Sequence, residues 1–348
     1  MKIPAYLGGF VRFAAVAVLL GGCRSSGASP GVATGLVPGG LNAAVPRVHV
    51  GPHRVWVAPD IARYRRLLFI SDAYGERVDI LSMPDLVLKG RVVGFTHQLF
   101  RGLCSDNGGN VWVVSTYGGI SSLPYGVLTK LAHDGKVLKS MTFSYGVPVS
   151  CAIDPTTRDL AVTEVYPQGG VVIYEGGAGP GRVIRNPQQF DYEWDGYDTS
   201  GNLWVDGGGA SANPLLSSCT ASTCTTIPIT GGKIYYPGFL QYVVGEKSWY
   251  IADGNCNNTY ESLCIYPISN NGVLGTAITV TDPQRQACSL LAQGAITNGK
   301  SRVLAGVASC GRRGRQLSIA LWKFPAGGVW MHDTTMEVGD GGVAISEK

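Results

Sequence analysis

Charged side chains are scarce in this sequence, at 15% of its 348 residues. Lys2 and Arg12 lie in a segment that we expect to be removed, which leaves 26 basic against 24 acidic side chains. So close a balance gives no electrostatic argument for a nucleic-acid partner or an acidic membrane surface. The chain also carries 49 glycines. Low charge with many glycines is typical of short strands and tight turns rather than of disorder.

Signatures of metal binding and catalysis are missing as well. The sequence has no Cys-x-x-Cys pair, and its five histidines are scattered along the chain. A zinc or haem site and a Ser/His/Asp constellation therefore have no support. His133, beside the turn Asp134-Gly135, is expected to be solvated. The sequence identifies no catalytic residue, no metal ligand and no cofactor.

One segment matches a nucleotide-binding pattern by its letters alone. Gly294–Ser301 fits G-x-x-x-x-G-K-[ST], but a phosphate-binding loop also needs a helix directly after it. Here Arg302–Val307 is predicted to be a strand that follows an Asn298-Gly299 turn. We interpret the match as coincidence.

Residues 1–22 are expected to be an export signal. Lys2 and Arg12 supply positive charge, and the apolar run Phe13–Leu20 is shorter than the roughly 20 residues that span a bilayer. Leu20-Gly21-Gly22-Cys23 resembles the lipobox of bacterial lipoproteins, in which the cysteine is acylated and becomes the first residue. The alternative is an ordinary cleaved signal in which Cys23 occurs by chance.

The lipobox resemblance implies a protein of the cell envelope that contacts the membrane through its lipid anchor only. Arg24 follows the cysteine, where an Asp would favour the inner membrane of enterobacteria, so the outer membrane or cell surface is preferred. Residues 23–46 are rich in Ser, Gly, Ala and Pro without a period. We expect a flexible tether there.

Residues 47–348 contain a weak repeat. In each copy one strand ends near an aspartate, a turn follows, and a second strand rich in aromatic and β-branched residues begins. The clearest copies are Cys104–Val114 and Tyr197–Val205. Equivalent positions recur every 43 to 54 residues, at Phe69, Trp112, Ala161, Trp204, Tyr250 and Leu304.

Periods in this range with four strands each indicate propeller blades. Val78–Leu81 and Val171–Tyr174 fit third strands, and Asp134-Gly135 and Asn271-Gly272 fit hairpin turns. We therefore predict an all-β fold, a six-bladed β-propeller of four-stranded antiparallel blades. The pattern resembles the NHL-repeat and gluconolactonase-like superfamily of six-bladed propellers, over about residues 47–340.

The strand that closes the ring is ambiguous. Either Arg47–Val50 or Gly342–Ser346 could complete the last blade, and the N-terminal strand is preferred.

Eight cysteines remain once Cys23 is set aside, an even number that suits an oxidising compartment. Their spacing and the propeller topology favour disulfide staples, although other pairings stay open. The favoured pairs are Cys219–Cys224, Cys256–Cys264, Cys288–Cys310 and Cys104–Cys151.

A ligand site is expected where the first strands of the blades begin, because these starts gather around the channel mouth on one face of a propeller. The starts are rich in aromatic and polar residues, which suit sugars, peptides or aromatic small molecules. Some of the aromatic rings are expected to pack between blades instead. The candidates are His97, Arg101, Tyr192, Trp194, Asp195, Tyr236, Phe239 and Gln241.

Two functions are compatible with these residues. The first is a non-enzymatic binding or scaffold protein of the envelope, with a glycan, a peptide or an envelope protein as its ligand. The second is a metal-dependent hydrolase, as the gluconolactonase-like resemblance implies, with Ca²⁺ or Mg²⁺ held by oxygen ligands. Its carboxylates would come from Glu164, Asp195, Asp206 and Asp253, which do not align with the ligands of that superfamily. The first is preferred, and the question of an enzyme stays open.

Overall fold

The computed structural model describes residues 52–348 apart from short gaps. The gaps are residues 73–74, 96–97, 118–125, 166–168, 210–212, 257–262, 281–288, 299–301, 310–316, 326–327 and 339–340. The predicted export signal, Cys23, the whole of the predicted tether and the first residues of the predicted propeller, up to residue 51, lie outside the described residues.

Nearly all regular structure in the described residues is β-strand. Two short 3₁₀ helices occur, at Ile61–Arg63 and Glu175–Gly177. The strands are β1 (Arg54–Val57), β2 (Arg66–Asp72), β3 (Arg77–Ser82), β4 (Leu88–Val93), β5 (Gln98–Ser105), β6 (Val111–Tyr117), β7 (Gly126–Leu131), β8 (Val137–Phe143), β9 (Pro148–Ile153), β10 (Leu160–Glu164), β11 (Gly170–Tyr174), β12 (Arg182–Ile184), β13 (Asp195–Tyr197), β14 (Leu203–Gly208), β15 (Pro214–Cys219), β16 (Cys224–Ile227), β17 (Pro237–Val243), β18 (Ser248–Asp253), β19 (Leu263–Ile268), β20 (Ile278–Val280), β21 (Ser289–Ile296), β22 (Arg302–Ser309), β23 (Leu317–Phe324), β24 (Val329–Val338) and β25 (Val343–Glu347). In the described part of the chain, no helix has the length and apolar character needed to cross a membrane.

The strands form six antiparallel blades, as the sequence predicts. Blades 2 to 6 each consist of four consecutive strands, β5–β8, β9–β12, β13–β16, β17–β20 and β21–β24. Blade 1 consists of β25, β2, β3 and β4, and carries β1 as a fifth strand on its outer edge. We call β25, β5, β9, β13, β17 and β21 the inner strands.

The repeat found in the sequence marks the same place in every blade. All six equivalent positions lie on the second strand of their blade, on β2, β6, β10, β14, β18 and β22. The aspartate of the repeat shapes the turn before that strand. Oδ1 of Asp106 accepts the backbone N–H groups of Gly108 and Asn110, at 2.9 and 2.8 Å. Oδ1 of Asp198 does the same for Ser200 and Asn202, at 2.8 and 2.9 Å. Such side-chain bonds fix a tight turn without help from tertiary contacts.

The core of the protein is divided among the spaces between the blades. One apolar cluster fills the space between each neighbouring pair, including blades 6 and 1. Between blades 4 and 5 the rings of Trp204 and Trp249 stack in parallel, with centroids 4.7 Å apart. Strands that are apolar on both faces suit this arrangement, because each sheet is covered on two sides.

The ring is closed by β25 in the first blade, so both the preferred strand and the predicted blade were wrong. β25 pairs antiparallel with β2, from Arg66–Glu347 to Ile70–Val343. Blade 6 already has four strands of its own, and Arg47–Val50 lies outside the described residues. The inner position of blade 1 is buried on both faces, and the apolar residues Val343, Ala344 and Ile345 pack into the clusters on its two sides.

His133 is not solvated, contrary to the sequence expectation. Its side chain is buried, with Nδ1 2.6 Å from Oγ of Ser346 and Nε2 2.8 Å from the backbone oxygen of Tyr64. The turn that carries it lies against the closing strand of blade 1. Tertiary packing therefore buries a residue that the local turn pattern would leave exposed.

Three of the four expected disulfides are present. They are Cys104–Cys151, Cys219–Cys224 and Cys256–Cys264, and both Cys288 and Cys310 lie outside the described residues. The first bond joins the inner strands of blades 2 and 3. Disulfides form and persist in oxidising compartments, so the three bonds indicate a location outside the cytoplasm.

The phosphate-loop match has no structural counterpart. Gly294 begins the match within the antiparallel strand β21, and Arg302 begins the strand β22. A phosphate-binding loop needs a helix at this point, so the interpretation as coincidence is confirmed.

Candidate functional site

A cavity of about 540 Å³ runs between the inner strands of all six blades. Its volume falls within the range of about 300–1,000 Å³ that small-molecule sites occupy. Three half-buried aromatic residues contribute to its wall, Trp194, Tyr197 and Tyr242. Tyr197 also packs against the cluster between blades 3 and 4, and Trp194 and Tyr242 pack against the cluster between blades 4 and 5. The cavity combines aromatic and polar groups at the centre of the ring, so it is the candidate binding site.

The structure brings four of the eight predicted site residues to this cavity, namely Trp194, Asp195, Phe239 and Gln241. Phe239 is nearly buried and also packs in the cluster between blades 5 and 6. Gln241 joins the same two blades, because its amide donates to the backbone oxygen of Ile296 and accepts from its N–H, at 2.7 and 2.8 Å. Both residues hold the cavity wall as well as lining it.

Three further predicted residues, Tyr192, Tyr236 and Arg101, do not line the cavity. Tyr192 is fully buried, and its hydroxyl bonds the backbone N–H and carbonyl of Asn186, at 2.6 and 3.1 Å. Tyr236 is 49% exposed in the segment before β17. Arg101 is exposed on β5, and His97 lies outside the described residues.

Two aromatic residues of the wall were missed by the sequence interpretation. Tyr197 ends β13, and Tyr242 lies near the end of β17. The sequence argument considered only the starts of the first strands, whereas the cavity follows these strands along their length. The signal that could have identified Tyr197 is its place directly before the Asp198 turn of the repeat.

Acidic side chains at the ends of the second strands hold the segments that lead into the inner strands. Oδ1 of Asp206 on β14 accepts the backbone N–H of Trp194, at 3.1 Å. Asp253 on β18 accepts the N–H groups of Tyr235, Tyr236 and Asn255, at 2.9 to 3.0 Å. Both carboxylates are fully buried, and these bonds give them a structural role.

Asp195 differs from these two acids. It is the first residue of β13, it lines the cavity, and it is 6% exposed. Neither of its carboxylate oxygens has a hydrogen-bond partner. Burial raises the pKa of Asp195 to about 8, and the nearby hydroxyl of Ser150 acts in the opposite direction. A buried carboxyl group without a partner is costly, and both oxygens of Asp195 are closed off from solvent.

Further carboxyl groups with raised pKa values lie on or beside the strands of blades 3 and 4. Burial raises the pKa of Glu193 to about 7, and Asp191 adds repulsion. Burial and the neighbouring Glu193 raise the pKa of Asp206 well above its usual value. Burial raises the pKa of Glu164 to about 7, against the effect of Arg185, whose guanidinium lies 3.9 Å from its carboxylate. These carboxyl groups therefore keep more of their protons at neutral pH than isolated carboxyl groups would.

These acids do not fit a Ca²⁺ or Mg²⁺ site. Such ions take at least six oxygen ligands, and within the described residues no three His, Cys, Asp or Glu side chains are placed to share a metal ion. The carboxylate oxygens of Asp253 already accept hydrogen bonds from three backbone N–H groups. The four carboxylates suggested by the sequence thus do not form a ligand set.

Comparison with known proteins shows the fold alone. No protein-family model matches the chain, and no curated protein matches it either. Among solved structures, a chain of a nidogen/laminin complex is similar over 81% of this chain and 98% of its own, with 12% identity and a TM-score of 0.59. A putative TolB from Agrobacterium tumefaciens is similar over 82% and 98%, with 13% identity and a TM-score of 0.51. A protein of unknown function from Bacteroides caccae is similar over 82% and 100%, with 9% identity and a TM-score of 0.54.

Proposed function

We propose that this protein is an exported, lipid-anchored propeller of the bacterial cell envelope that binds a ligand in its central cavity and catalyses no reaction. The observation that carries the binding role is the cavity of about 540 Å³, lined by aromatic and polar side chains from the inner strands of all six blades. A rigid ring with a preformed cavity suits recognition, because little conformational entropy is lost when a ligand binds.

Two further observations support the location. The disulfides indicate an oxidising compartment, and the lipobox-like segment that ends at Cys23 supplies an acylation site. Outer membrane or cell surface is the proposed destination, with residues 23–46 as the tether and about 47–348 as an NHL-like propeller. The similarity to a chain of a nidogen/laminin complex adds that this fold occurs in protein assemblies.

Fractionation tests the anchor. The full chain should follow the membrane fraction and incorporate a labelled fatty acid, and Cys23→Ala should abolish the label. A labelled Cys23→Ala chain, or a wild-type chain without label, would refute lipid anchoring.

A thermal-shift screen of glycans, peptides and purified envelope proteins tests the binding role. A ligand at 100 times its Kd stabilises the folded chain by about 2.7 kcal/mol, which a melting curve resolves. The same protein is measured with and without EDTA. A stoichiometric divalent ion, with a melting temperature that falls on chelation, would contradict the metal-free binding role and favour the gluconolactonase-like hydrolase.

A further inference from the structure

In the described chain, blade 1 alone has a fifth strand, and this strand exposes apolar side chains. β1 pairs with β4 along one edge, and no described strand pairs with its other edge. Trp56 on β1 is 54% exposed, the largest exposure of any large hydrophobic side chain among the described residues, and Val55 beside it is 41% exposed. An apolar edge strand of this kind promotes association unless a partner covers it.

The residues around β1 are basic, although the chain as a whole is nearly balanced. Residues 52–66, which comprise β1 and the segment that leads to β2, contain four arginines and one acidic residue, Asp60. Asp60 is engaged by Lys89 at 3.1 Å, and Arg66 by Glu347 at 2.8 Å. The β3–β4 turn of the same blade carries one exposed carboxylate, Asp85. The other three arginines are exposed and form no ion pair with a described residue; they are Arg54, Arg63 and Arg65.

Trp56 has cationic neighbours on its own side of the sheet. Arg54 points to the same face of β1, because alternate residues of a strand share a face. The Cα partner of Trp56 on β4 is Arg91, whose guanidinium is held by the buried carboxylate of Asp79. An exposed indole beside guanidinium groups suits the headgroup region of a bilayer, where tryptophan is enriched and arginine contacts lipid phosphates.

The part of the chain outside the described residues leads to this same edge. The described residues begin at Pro52, directly before β1, and Arg54 follows the proposed acylation site Cys23 by 31 residues. A tether of that length with a composition rich in Gly and Ser spans about 30 Å on average. Because β1 is the point of attachment, an anchor at Cys23 gives contacts between this edge and the bilayer a high effective concentration.

We infer that the outer edge of blade 1 is a membrane-contact surface for an anionic phospholipid bilayer. The indole of Trp56 enters the headgroup region, and the lipid phosphates bind three guanidinium groups, those of Arg54, Arg63 and Arg65. This inference rests on the lipid anchor of the proposed function and goes beyond it, because the contact adds a basic patch to the acyl chains and orients the propeller. Blade 4, three blades away around the ring, then faces away from the bilayer.

Quenching by brominated lipids tests the contact, because bromine quenches only the indoles that reach the lipid. The acylated full chain is reconstituted in vesicles of brominated phosphatidylcholine and phosphatidylglycerol. We expect part of the tryptophan emission to be quenched, and Trp56→Phe to lose most of that part. The control is Trp56→Phe combined with Phe190→Trp, which moves the indole to a position that is 51% exposed in the segment leading into blade 4. Absence of quenching at Trp56, or equal quenching at both positions, would overturn the inference.

Neutral vesicles and arginine variants then test the charge. In vesicles of phosphatidylcholine alone, the quenched part should fall. Replacement of the three free arginines by Gln should weaken the contact about fivefold for each charge removed. The matched control removes the same charge from exposed positions outside blade 1, with Lys136→Gln, Arg182→Gln and Lys233→Gln, and should leave the quenching unchanged. Equal quenching in neutral and anionic vesicles would refute binding of the phosphates by the arginines.

The fatty-acid label on the same samples separates the two proposals. If the wild-type chain carries the label and Trp56 is not quenched, the membrane-contact surface is refuted and the lipid anchor stands. If the chain carries no label, both fail.

Discussion

Nδ1 of His133 lies 2.6 Å from Oγ of Ser346, although 213 residues separate them in the chain. Nε2 of the same ring is 2.8 Å from the backbone oxygen of Tyr64. One buried imidazole thereby links the β7–β8 turn of blade 2 to the closing strand β25 and to the segment before β2. It holds together the place where the two ends of the ring meet.

Replacement of His133 by Ala should therefore loosen the closure. It leaves the backbone carbonyl of Tyr64 without its imidazole partner, which costs about 1–3 kcal/mol, whereas the hydroxyl of Ser346 keeps its bond to the backbone oxygen of Gly109. Denaturant unfolding of the variant should show a lower midpoint with a similar slope. Lys136→Ala is the control, because Lys136 is exposed in the same turn and should change stability by no more than about 0.5 kcal/mol. Equal stability of the two variants would refute the link.

The titration of Asp195 should appear in the pH dependence of stability. The usual pKa of an aspartate carboxyl group is 3.8, and the pKa of Asp195 in the folded chain is about 8. Between these two pH values the folded chain therefore keeps a proton that the unfolded chain releases. Wild-type stability should then fall, relative to Asp195→Asn, as the pH rises from about 4 to about 8, by up to about 1.4 kcal/mol per unit. Urea titrations of both proteins across this range check it, with Asp85→Asn as the reference. A constant difference would contradict a raised pKa.

Gly196 permits blades 4 and 5 to approach each other at the cavity wall. A Cβ atom at this position would lie 2.8 Å from the backbone oxygen of Leu240 and 3.0 Å from Cζ3 of Trp249. Gly196→Ala should destabilise the fold by about 1–3 kcal/mol, because a backbone atom cannot move aside cheaply. In the control, Gly232→Ala, the nearest atom is the flexible Cδ1 of Leu274, at 3.2 Å. Melting curves that rank the two variants in the opposite order would disprove this reading.

The disulfides should differ in their contribution to stability. Cys104–Cys151 encloses a sequence separation of 47 residues and joins two blades, whereas Cys219–Cys224 spans 5 residues within one hairpin. In the chain-entropy model these loops correspond to about 4 and about 2 kcal/mol. Unfolding of the double alanine variants of each pair should follow that order. A larger loss for the hairpin pair would exclude loop entropy as the dominant effect.

The repeat made the fold predictable because its signals are local. A few consecutive residues determine the turns at Asp106 and Asp198. The same short stretch of sequence places Trp112 and Trp204 on the second strands that follow. The disulfide pairs followed from the same blade pattern. Closure by β25 was not predictable in this way, since any short apolar segment can pair with β2 and only the assembled ring selects one.

The site was less predictable than the fold. Tyr192 and Trp194 are two residues apart. The hydroxyl of Tyr192 nevertheless bonds the backbone of Asn186, whereas Trp194 forms part of the cavity wall. Local sequence does not distinguish these positions, because the choice depends on the neighbouring blade. The unpaired state of Asp195 is likewise a property of its surroundings, and no motif records it.

The closing strand also determines the order in which this chain can fold. Blades 2 to 6 each come from one contiguous segment, so their hairpins can form early and independently. Completion of blade 1 requires contacts such as that between Ser71 and Gly342, which lie 271 residues apart in the chain. Contacts between residues so far apart in sequence are slow to form. We expect blade 1 to be the last to be completed and, for the same reason, the seam at which the ring first opens.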